Sequence, residues 1–405
     1  MKRILLIMPY GSVGGMERLA LHFYNYYKSQ GYRVYAVKFF GLPSDIINFH
    51  QDEFALSNKD LHELTTVRRV WFYLSAPFKL RKLIKNNNIT HSIAFGDMAN
   101  IFSALTYTKE FKIGSIHALK SVELNSDSFF TRFIKYAYRT IYKNLDKVVC
   151  ISAAIKKDLL ENCHYKFPEN LQVIYNPHDI ESIQNLANEP IENPEEAALF
   201  KKQTILFIGR LSHQKAPWHL INAFNHLIKA NNNVNLIFIG DGDLEVTLYI
   251  KNLIKSYNIQ AQIHFLGRKS NPYKYLKHAD VLALSSYYEG TPNVIVEAIA
   301  LGVPIVSSYC TEGIMELMSL KKNDTDNDTN IIVESGIITP NFYKGTLGFP
   351  VSLDLTHEEE QFSEALENMI TDLKFKSILA TNKNLLLNKF TVKISAENYL
   401  KNIID

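Results

Sequence analysis

Nine consecutive residues, Ser285-Ser286-Tyr287-Tyr288-Glu289-Gly290-Thr291-Pro292-Asn293, lead into an apolar run that carries Glu297. Pro292 suits an early helical position, so the N–H groups near Asn293 and Val294 can face a phosphate. Glu289 precedes the helix and Glu297 sits within it. Two such carboxylates can accept hydrogen bonds from two separate hydroxylated groups, for example a hexose and a ribose, which fits a nucleotide-sugar better than a bare nucleotide. The plainer alternative is a capping Glu289 and a solvated Glu297. Glu297, however, lies among Ile295, Val296, Ala298, Ile299 and Ala300, where burial without a partner would be unusual.

Two cations stand in Gly209-Arg210-Leu211 with Gln214-Lys215, just past a strand-like run. There a diphosphate could take fork hydrogen bonds from Arg210 and a point charge from Lys215, although a solvated basic turn reads equally well from these residues alone. Gly240-Asp241-Gly242-Asp243 occupies the same place after the next strand. Its D-x-D spacing is that of a metal-binding pair, yet the flanking glycines favour a tight loop and no metal. Gly14 and Gly15 follow the first strand and precede a helix, where backbone N–H groups can approach an anion or a plain tight turn can form. Gly11, Gly14 and Gly15 do not have the G-x-G-x-x-G spacing, which argues against a nicotinamide domain.

These residues need strands to present them. Arg3–Met8, Arg33–Val37, Ser92–Phe95, Ile113–Ile116, Lys147–Ile151 and Leu171–Tyr175 read as strands of a first α/β series, with a helix opening at the glycines and running through Tyr27 and another over Ala153–Asn162. A second series begins at Thr204–Ile208 and continues through Leu236–Ile239, Gln262–Leu266, Val281–Leu284 and Pro304–Ser307. Its helices lie over Trp218–Ala230, Leu244–Tyr257 and Asn293–Ala300. Residues 181–199, polar and acidic with Pro190 and Pro194, mark the interdomain connection. The expected organisation is a first domain over 1–180, this connection, a second domain over 200–380, and a C-terminal helix at 381–405 that packs back on the first domain. Parallel α/β domains place ligands at the carboxyl ends of their strands.

The chain has 405 residues, 46% hydrophobic and 21% charged, enough for two globular cores. Its net charge of +3 gives no reason to expect a nucleic-acid partner. Cys150, Cys163 and Cys310 are far apart, which fits neither a disulfide framework nor a zinc site. The first apolar run ends at Met8, and no later one approaches the length of a membrane span, so the expected location is cytoplasmic. Asp324, Asp326 and Asp328 mimic a calcium loop, but Thr329 replaces its glycine and Ser335 its glutamate; a surface loop is expected.

In order along the chain, Gly14-Gly15-Met16-Glu17, Gly209-Arg210-Leu211 with Gln214-Lys215, Gly240-Asp241-Gly242, Phe265-Leu266-Gly267, Ala279-Asp280 and Glu289-Gly290-Thr291-Pro292-Asn293-Val294 with Glu297 resemble the retaining glycosyltransferase family 4. The two glutamates have that family's E-x7-E spacing. The resemblance implies a GT-B fold, α/β, with two Rossmann-like domains facing each other across a cleft. It implies that Arg210 and Lys215 neutralise the donor diphosphate, that Glu297 holds the ribose and that Glu289 holds the sugar hydroxyls. His117 would contact the sugar near the reacting carbon and Gly15 would press its backbone on phosphate or acceptor. Gly209, Asp241, Gly242, Arg268, Asn293 and Val294 complete the implied donor site, with no metal and no cofactor beyond the nucleotide-sugar, which is most commonly uridine-linked. Asn176-Pro177-His178-Asp179, where many members have Asn-Gly-x-Asp, and the stretch after Gly336-Ile337-Ile338-Thr339-Pro340 depart from the pattern.

The expected activity is transfer of a hexose or N-acetylhexosamine with retention to a glycan or lipid-linked acceptor in surface-polysaccharide assembly. A nucleotide-sugar epimerase or phosphorolytic enzyme of the same fold and a non-catalytic nucleotide-sugar-binding protein are the alternatives. Phe129–Lys147 reads as one helix with Phe130, Ile134, Ala137, Ile141 and Leu145 facing the core and Arg132, Lys135, Arg139 and Lys143 opposite them. With Lys79, Arg81, Lys82 and Lys85, this suggests an anionic membrane surface as a partner and a peripheral position on the inner face of the membrane.

Overall fold

In a computed structural model, residues 2–402 are described except 12–14, 44, 125–127, 230–232, 322–327, 351 and 353. The chain forms two compact units, Met1–Pro177 with Phe390–Asp405, and His178–Lys389. Gly14, Asp324 and Asp326 lie outside the described residues.

The first unit is built on β1 (Arg3–Met8), β2 (Arg33–Phe40), β3 (Glu53–Ser57), β4 (His91–Phe95), β5 (Phe111–Ile116), β6 (Lys147–Cys150) and β7 (Leu171–Val173). They form one parallel sheet in the order β3-β2-β1-β4-β5-β6-β7. Both faces are covered, so β1 is apolar from Ile4 to Met8 rather than alternating. Leu5 and Ile7 pack with Phe72, Ala76, Leu80 and Ile84 of the helix Thr66–Asn86. Ile4, Leu6 and Met8 pack on the other face with Leu19, Phe23 and Tyr27 of the helix Gly15–Ser29. The last helix, Val392–Leu400, joins this second layer: the Tyr27 hydroxyl donates to Ala396 O at 2.8 Å, and the buried Lys147 ammonium donates to Asn398 O at 2.9 Å and to the carbonyls of Tyr399 and Lys401.

The second unit carries β8 (Gln203–Ile208), β9 (Val234–Ile239), β10 (Ile263–Phe265), β11 (Val281–Leu284), β12 (Ile305–Ser308), β13 (Ile331–Val333) and β14 (Gly336–Thr339), ordered β10-β9-β8-β11-β12-β14-β13. Among the described residues, only the β13/β14 pair is antiparallel. In each sheet the chain reverses its direction of travel across the parallel strands, between β1 and β4 and between β8 and β11, and the second sheet adds a return at its edge through the β13/β14 hairpin. Loops leaving the carboxyl ends of those strands diverge there and leave room for a ligand. Two such Rossmann-like halves are the GT-B architecture expected from the sequence.

Three differences have local causes. Residues 181–199, expected as a connection, fold into the helices Ile180–Ala187 and Pro194–Leu199, and the second unit holds them: Gln184 donates to Ala300 O at 3.2 Å and Lys269 pairs with Glu196 at 2.6 Å. The single helix expected over Phe129–Lys147 stops at Thr140; a 3-10 turn follows at Tyr142–Asn144, and Lys147 begins β6. Leu145 keeps the apolar spacing alive because it is buried beneath that turn, whereas Phe130, expected inside, is 49% exposed. The C-terminal helix expected over 381–405 is broken before Thr391: the helix Lys374–Asn388 ends ahead of it, and the Thr391 hydroxyl caps the helix Val392–Leu400 by accepting from Ile394 N at 3.3 Å.

Candidate active site

At the β8/β11 reversal, two loops that are distant in sequence are bound edge to edge. Gln214 Nε2 donates to Tyr288 O at 2.9 Å, Tyr287 N donates to Gln214 O at 2.8 Å, and Ser285 Oγ donates to Lys215 O at 3.0 Å. This stitching brings the Lys215 ammonium onto Glu289 Oε1. Ser286 Oγ donates to the same oxygen at 2.8 Å, and Glu289 itself is 7% exposed. Four residues further on, the helix Asn293–Leu301 begins behind Pro292, with no side-chain cap. Its first two N–H groups, those of Asn293 and Val294, have no partner within the helix by geometry, whereas Ile295 N turns back to Pro292 O at 3.1 Å. The Thr291 hydroxyl beside them is buried and meets no partner among the described residues.

The turn after β9 is sewn to the turn after β8. Leu211 N donates to Asp241 O at 2.9 Å and Asp243 N to Leu211 O at 2.8 Å, a parallel bridge that closes Leu211 against Gly242. A Cβ at Gly240 would sit 2.0 Å from Gly209 O, and one at Gly242 2.1 Å from Leu211 O, so this approach requires glycine at both. Arg210 Nη2 meets Asp243 Oδ1 at 2.8 Å on the surface of the turn, an exposed pair that leaves Arg210 able to turn to an anion. Arg268 is exposed just after β10. Glu297 is half-buried and accepts from the Tyr273 hydroxyl at 3.2 Å, the kind of partner its apolar surroundings required. Among the described residues, no three His, Cys, Asp or Glu side chains gather as metal ligands.

His117 belongs to the other unit, directly after β5. Its Nε2 lies 2.8 Å from Ser115 Oγ, and burial, reinforced by the Lys120 ammonium and opposed by Asp97, pushes its pKa down to about 4. The imidazole is therefore neutral near pH 7. Asp97 is itself fully engaged: Oδ2 pairs with Lys120 at 2.7 Å, and Oδ1 accepts from the hydroxyls of Tyr138 at 2.7 Å and Tyr142 at 2.8 Å. Gly15 opens the helix Gly15–Ser29, beside which Gly96 takes a φ of +85° at the end of β4.

Two family models divide this chain between them. Glycosyltransferase Family 4 matches residues 13–182, and Glycosyl transferases group 1 matches 173–335. An uncharacterized glycosyltransferase of Methanocaldococcus jannaschii is 30% identical over 311 residues, 74% of this chain and 75% of the relative. The chain is a glycosyltransferase. A second relative, from Campylobacter jejuni, is the N-acetylgalactosamine-N,N'-diacetylbacillosaminyl-diphospho-undecaprenol 4-alpha-N-acetylgalactosaminyltransferase; it is 27% identical over 268 residues, 65% of this chain and 68% of the relative. The solved structure of Anabaena HepE in complex with UDP superposes with a TM-score of 0.68 at 19% identity, over 98% of both chains, and shares the fold.

One buried cluster behind the candidate site of this glycosyltransferase was not expected from the sequence. Beneath the loop that carries Glu289, His219 Nε2 lies 2.9 Å from the Tyr287 hydroxyl and Nδ1 lies 2.7 Å from Glu359 Oε1. Asn222 donates to the same carboxylate oxygen at 2.8 Å, and Glu359 is fully buried at the start of the helix His357–Thr371, where it completes a capping box with Thr356. Phe342 stacks on the His219 ring at 4.5 Å, and Phe349 on Tyr249 at 4.0 Å. The stretch after Pro340, which departs from the family pattern, thus forms the floor behind the loop. The H-x-x-N spacing of His219 and Asn222 was the available signal, and it names no partner 140 residues away.

Proposed function

We propose that this glycosyltransferase moves a hexose or N-acetylhexosamine from a uridine diphosphate sugar to a hydroxyl of a lipid-linked or growing surface glycan, with retention of anomeric configuration. The observation that carries the reading is the convergence of Lys215, Glu289 and the start of the helix Asn293–Leu301 at the β8/β11 reversal. A cation, a hydroxyl-binding carboxylate and a helix N-terminus are the parts that a sugar diphosphate requires. The UDP complex of HepE and the name of the Campylobacter relative support the donor and acceptor classes.

In this reading Lys215, Arg210 and the N–H groups of Asn293 and Val294 stabilise the charge that grows on the departing diphosphate. Glu289 orients the transferred sugar and Glu297 the ribose. Gly209, Gly242 and Asp241 bring backbone close to the nucleotide, and Arg268 adds charge beside it. His117, neutral, supplies a hydrogen bond to the sugar, and the backbone at Gly15 approaches phosphate or acceptor. The acceptor oxygen bonds to the anomeric carbon as the bond from that carbon to the diphosphate oxygen breaks, and the hydroxyl proton passes to the departing diphosphate. No enzymic nucleophile takes part, and the protein's cations stand where a metal would otherwise be needed.

The acceptor class places the enzyme at the inner membrane surface as a peripheral protein. Among the described residues no helix is long and apolar enough to cross a membrane. Arg132, Arg139 and Lys143 are exposed and Lys135 half-buried, beside exposed Phe130, Phe133 and Tyr136. Thermal denaturation against a panel of nucleotide-sugars tests the donor: a uridine diphosphate sugar should raise the midpoint more than guanosine or adenosine counterparts. A midpoint indifferent to every nucleotide-sugar would remove the proposal.

A further inference from the structure

The helix Thr66–Asn86 carries apolar side chains on two opposite sides. Phe72, Ala76, Leu80 and Ile84 are buried in the first unit's core. Val67, Val70, Trp71, Leu74 and Phe78 are 79, 54, 69, 61 and 72% exposed. At about 100° per residue these five fall within an arc of about 100° turned away from the buried stripe. From Val67 to Phe78 the stripe runs about 17 Å. A contiguous row of this kind, two aromatics included, marks an interaction site rather than ordinary surface.

Charge decides what the partner is. The same helix contains Arg68, Arg69, Lys79, Arg81, Lys82 and Lys85 and no Asp or Glu. The helix Phe129–Thr140 contains Arg132, Lys135 and Arg139 and likewise no acid. Nine basic side chains thus stand on two helices of a chain whose net charge is +3, so the remainder of the protein is net acidic. Both helices bury their inner sides in one core cluster with Leu5 and Ile7, and therefore cover the same face of the first sheet. The stripe lies in the first part of the helix Thr66–Asn86, which precedes β4, so its Val67 end is nearer the carboxyl edge of the sheet.

We propose that this face docks on a bilayer containing anionic lipid: Val67, Val70, Trp71, Leu74 and Phe78 enter the boundary between headgroups and acyl chains, while Arg68, Arg81, Lys82 and Lys85 meet the phosphates. Apolar and aromatic side chains among cations, on two helices without a carboxylate, suit that interface. The proposal rests on the reading that the acceptor is lipid-linked, and it assigns the contact to the helix Thr66–Asn86 instead of to the cations of Phe129–Thr140 alone.

The protein carries its own reporter. Of its two tryptophans, Trp218 is fully buried in the second unit and Trp71 stands in the stripe. Full-length protein is titrated with phosphatidylglycerol/phosphatidylethanolamine vesicles, with brominated acyl chains in a parallel set, and with phosphatidylcholine vesicles as control. Trp71 emission should shift to the blue and be quenched by the brominated lipid only where phosphatidylglycerol is present. Leu74→Ser/Phe78→Ser should bind about tenfold more weakly or worse, with unchanged release of nucleoside diphosphate on a water-soluble acceptor. Co-sedimentation with unchanged Trp71 emission would overturn the proposal in favour of another membrane contact. A dimer in light scattering that the double substitution dissociates, without vesicle binding, would assign the stripe to a second copy of the chain. Loss of the glycosyltransferase reading would show separately, as absent diphosphate release with every acceptor in the same samples.

Discussion

Replacing Lys215 by Met should damage folding and chemistry by separable amounts. The Lys215 side chain is 19% exposed and that of Glu289 9%, so the pair is largely withdrawn from water. Met keeps the stem that packs 3.5 Å from the Cβ position of Gly209, and removes only the charge. Glu289 is then left with the Ser286 hydroxyl. Orphaning a fully buried carboxylate costs about 3–5 kcal/mol, and residual water access here brings the expected loss of stability to about 2 kcal/mol. Losing a charge that stabilises the departing diphosphate should cost about 3–4 kcal/mol, a hundred- to thousandfold in kcat/KM. Adding Glu289→Gln removes the orphaned charge. Lys215→Met/Glu289→Gln should therefore recover most of the stability in urea denaturation and none of the turnover measured by nucleoside diphosphate release. If turnover returns in parallel with stability, Lys215 merely neutralises Glu289 and the leaving-group assignment fails.

Chelation should leave activity intact, because the turn that carries Asp241 and Asp243 is closed on Leu211 and, among the described residues, no third His, Cys, Asp or Glu joins them as a metal ligand; loss in EDTA that Mn²⁺ restores would contradict this. Glu297→Gln should weaken binding of free nucleoside diphosphate in calorimetry, whereas Glu289→Gln should lower the sugar-dependent rate and spare that binding; equal affinity of wild type and Glu297→Gln ends the ribose assignment. His117, with its pKa pushed from 6.5 to about 4, binds fewer protons folded than unfolded between those values. It thus contributes a loss of stability as pH falls through that window, which His117→Gln should lessen; an unchanged slope of denaturation midpoint against pH would show that its environment is misread. Tyr287→Phe leaves a buried His219 nitrogen unpaired and should cost about 1–3 kcal/mol, with urea midpoints unchanged from wild type as the contrary result.

The fold and the family were legible because their signals are local. The strand-like run Val281–Leu284 matches β11 residue for residue, and the glycine-rich turns after β8 and β9 announce a backbone approach that only glycine permits. Short β3, Glu53–Ser57, at the sheet edge escaped notice because only three apolar residues stand between its polar ends, and β13 and β14 because their hairpin adjoins a polar insertion. What sequence spacing cannot supply is the identity of distant partners. Neither the Asp97 cluster with Lys120, Tyr138 and Tyr142 nor the pairing of His219 with Glu359 follows from any window of the chain. The two-sided apolar pattern of Thr66–Asn86 was equally silent, since periodicity alone does not say which side is buried.

The most direct test of the account is a single assay: wild-type protein, a uridine diphosphate sugar, and nucleoside diphosphate release followed with and without a lipid-linked glycan acceptor. The anomeric configuration of the product is read by NMR. The account predicts release that depends on the acceptor, and a new linkage with the donor's configuration. Acceptor-independent conversion of the donor, or an inverted linkage, would contradict it.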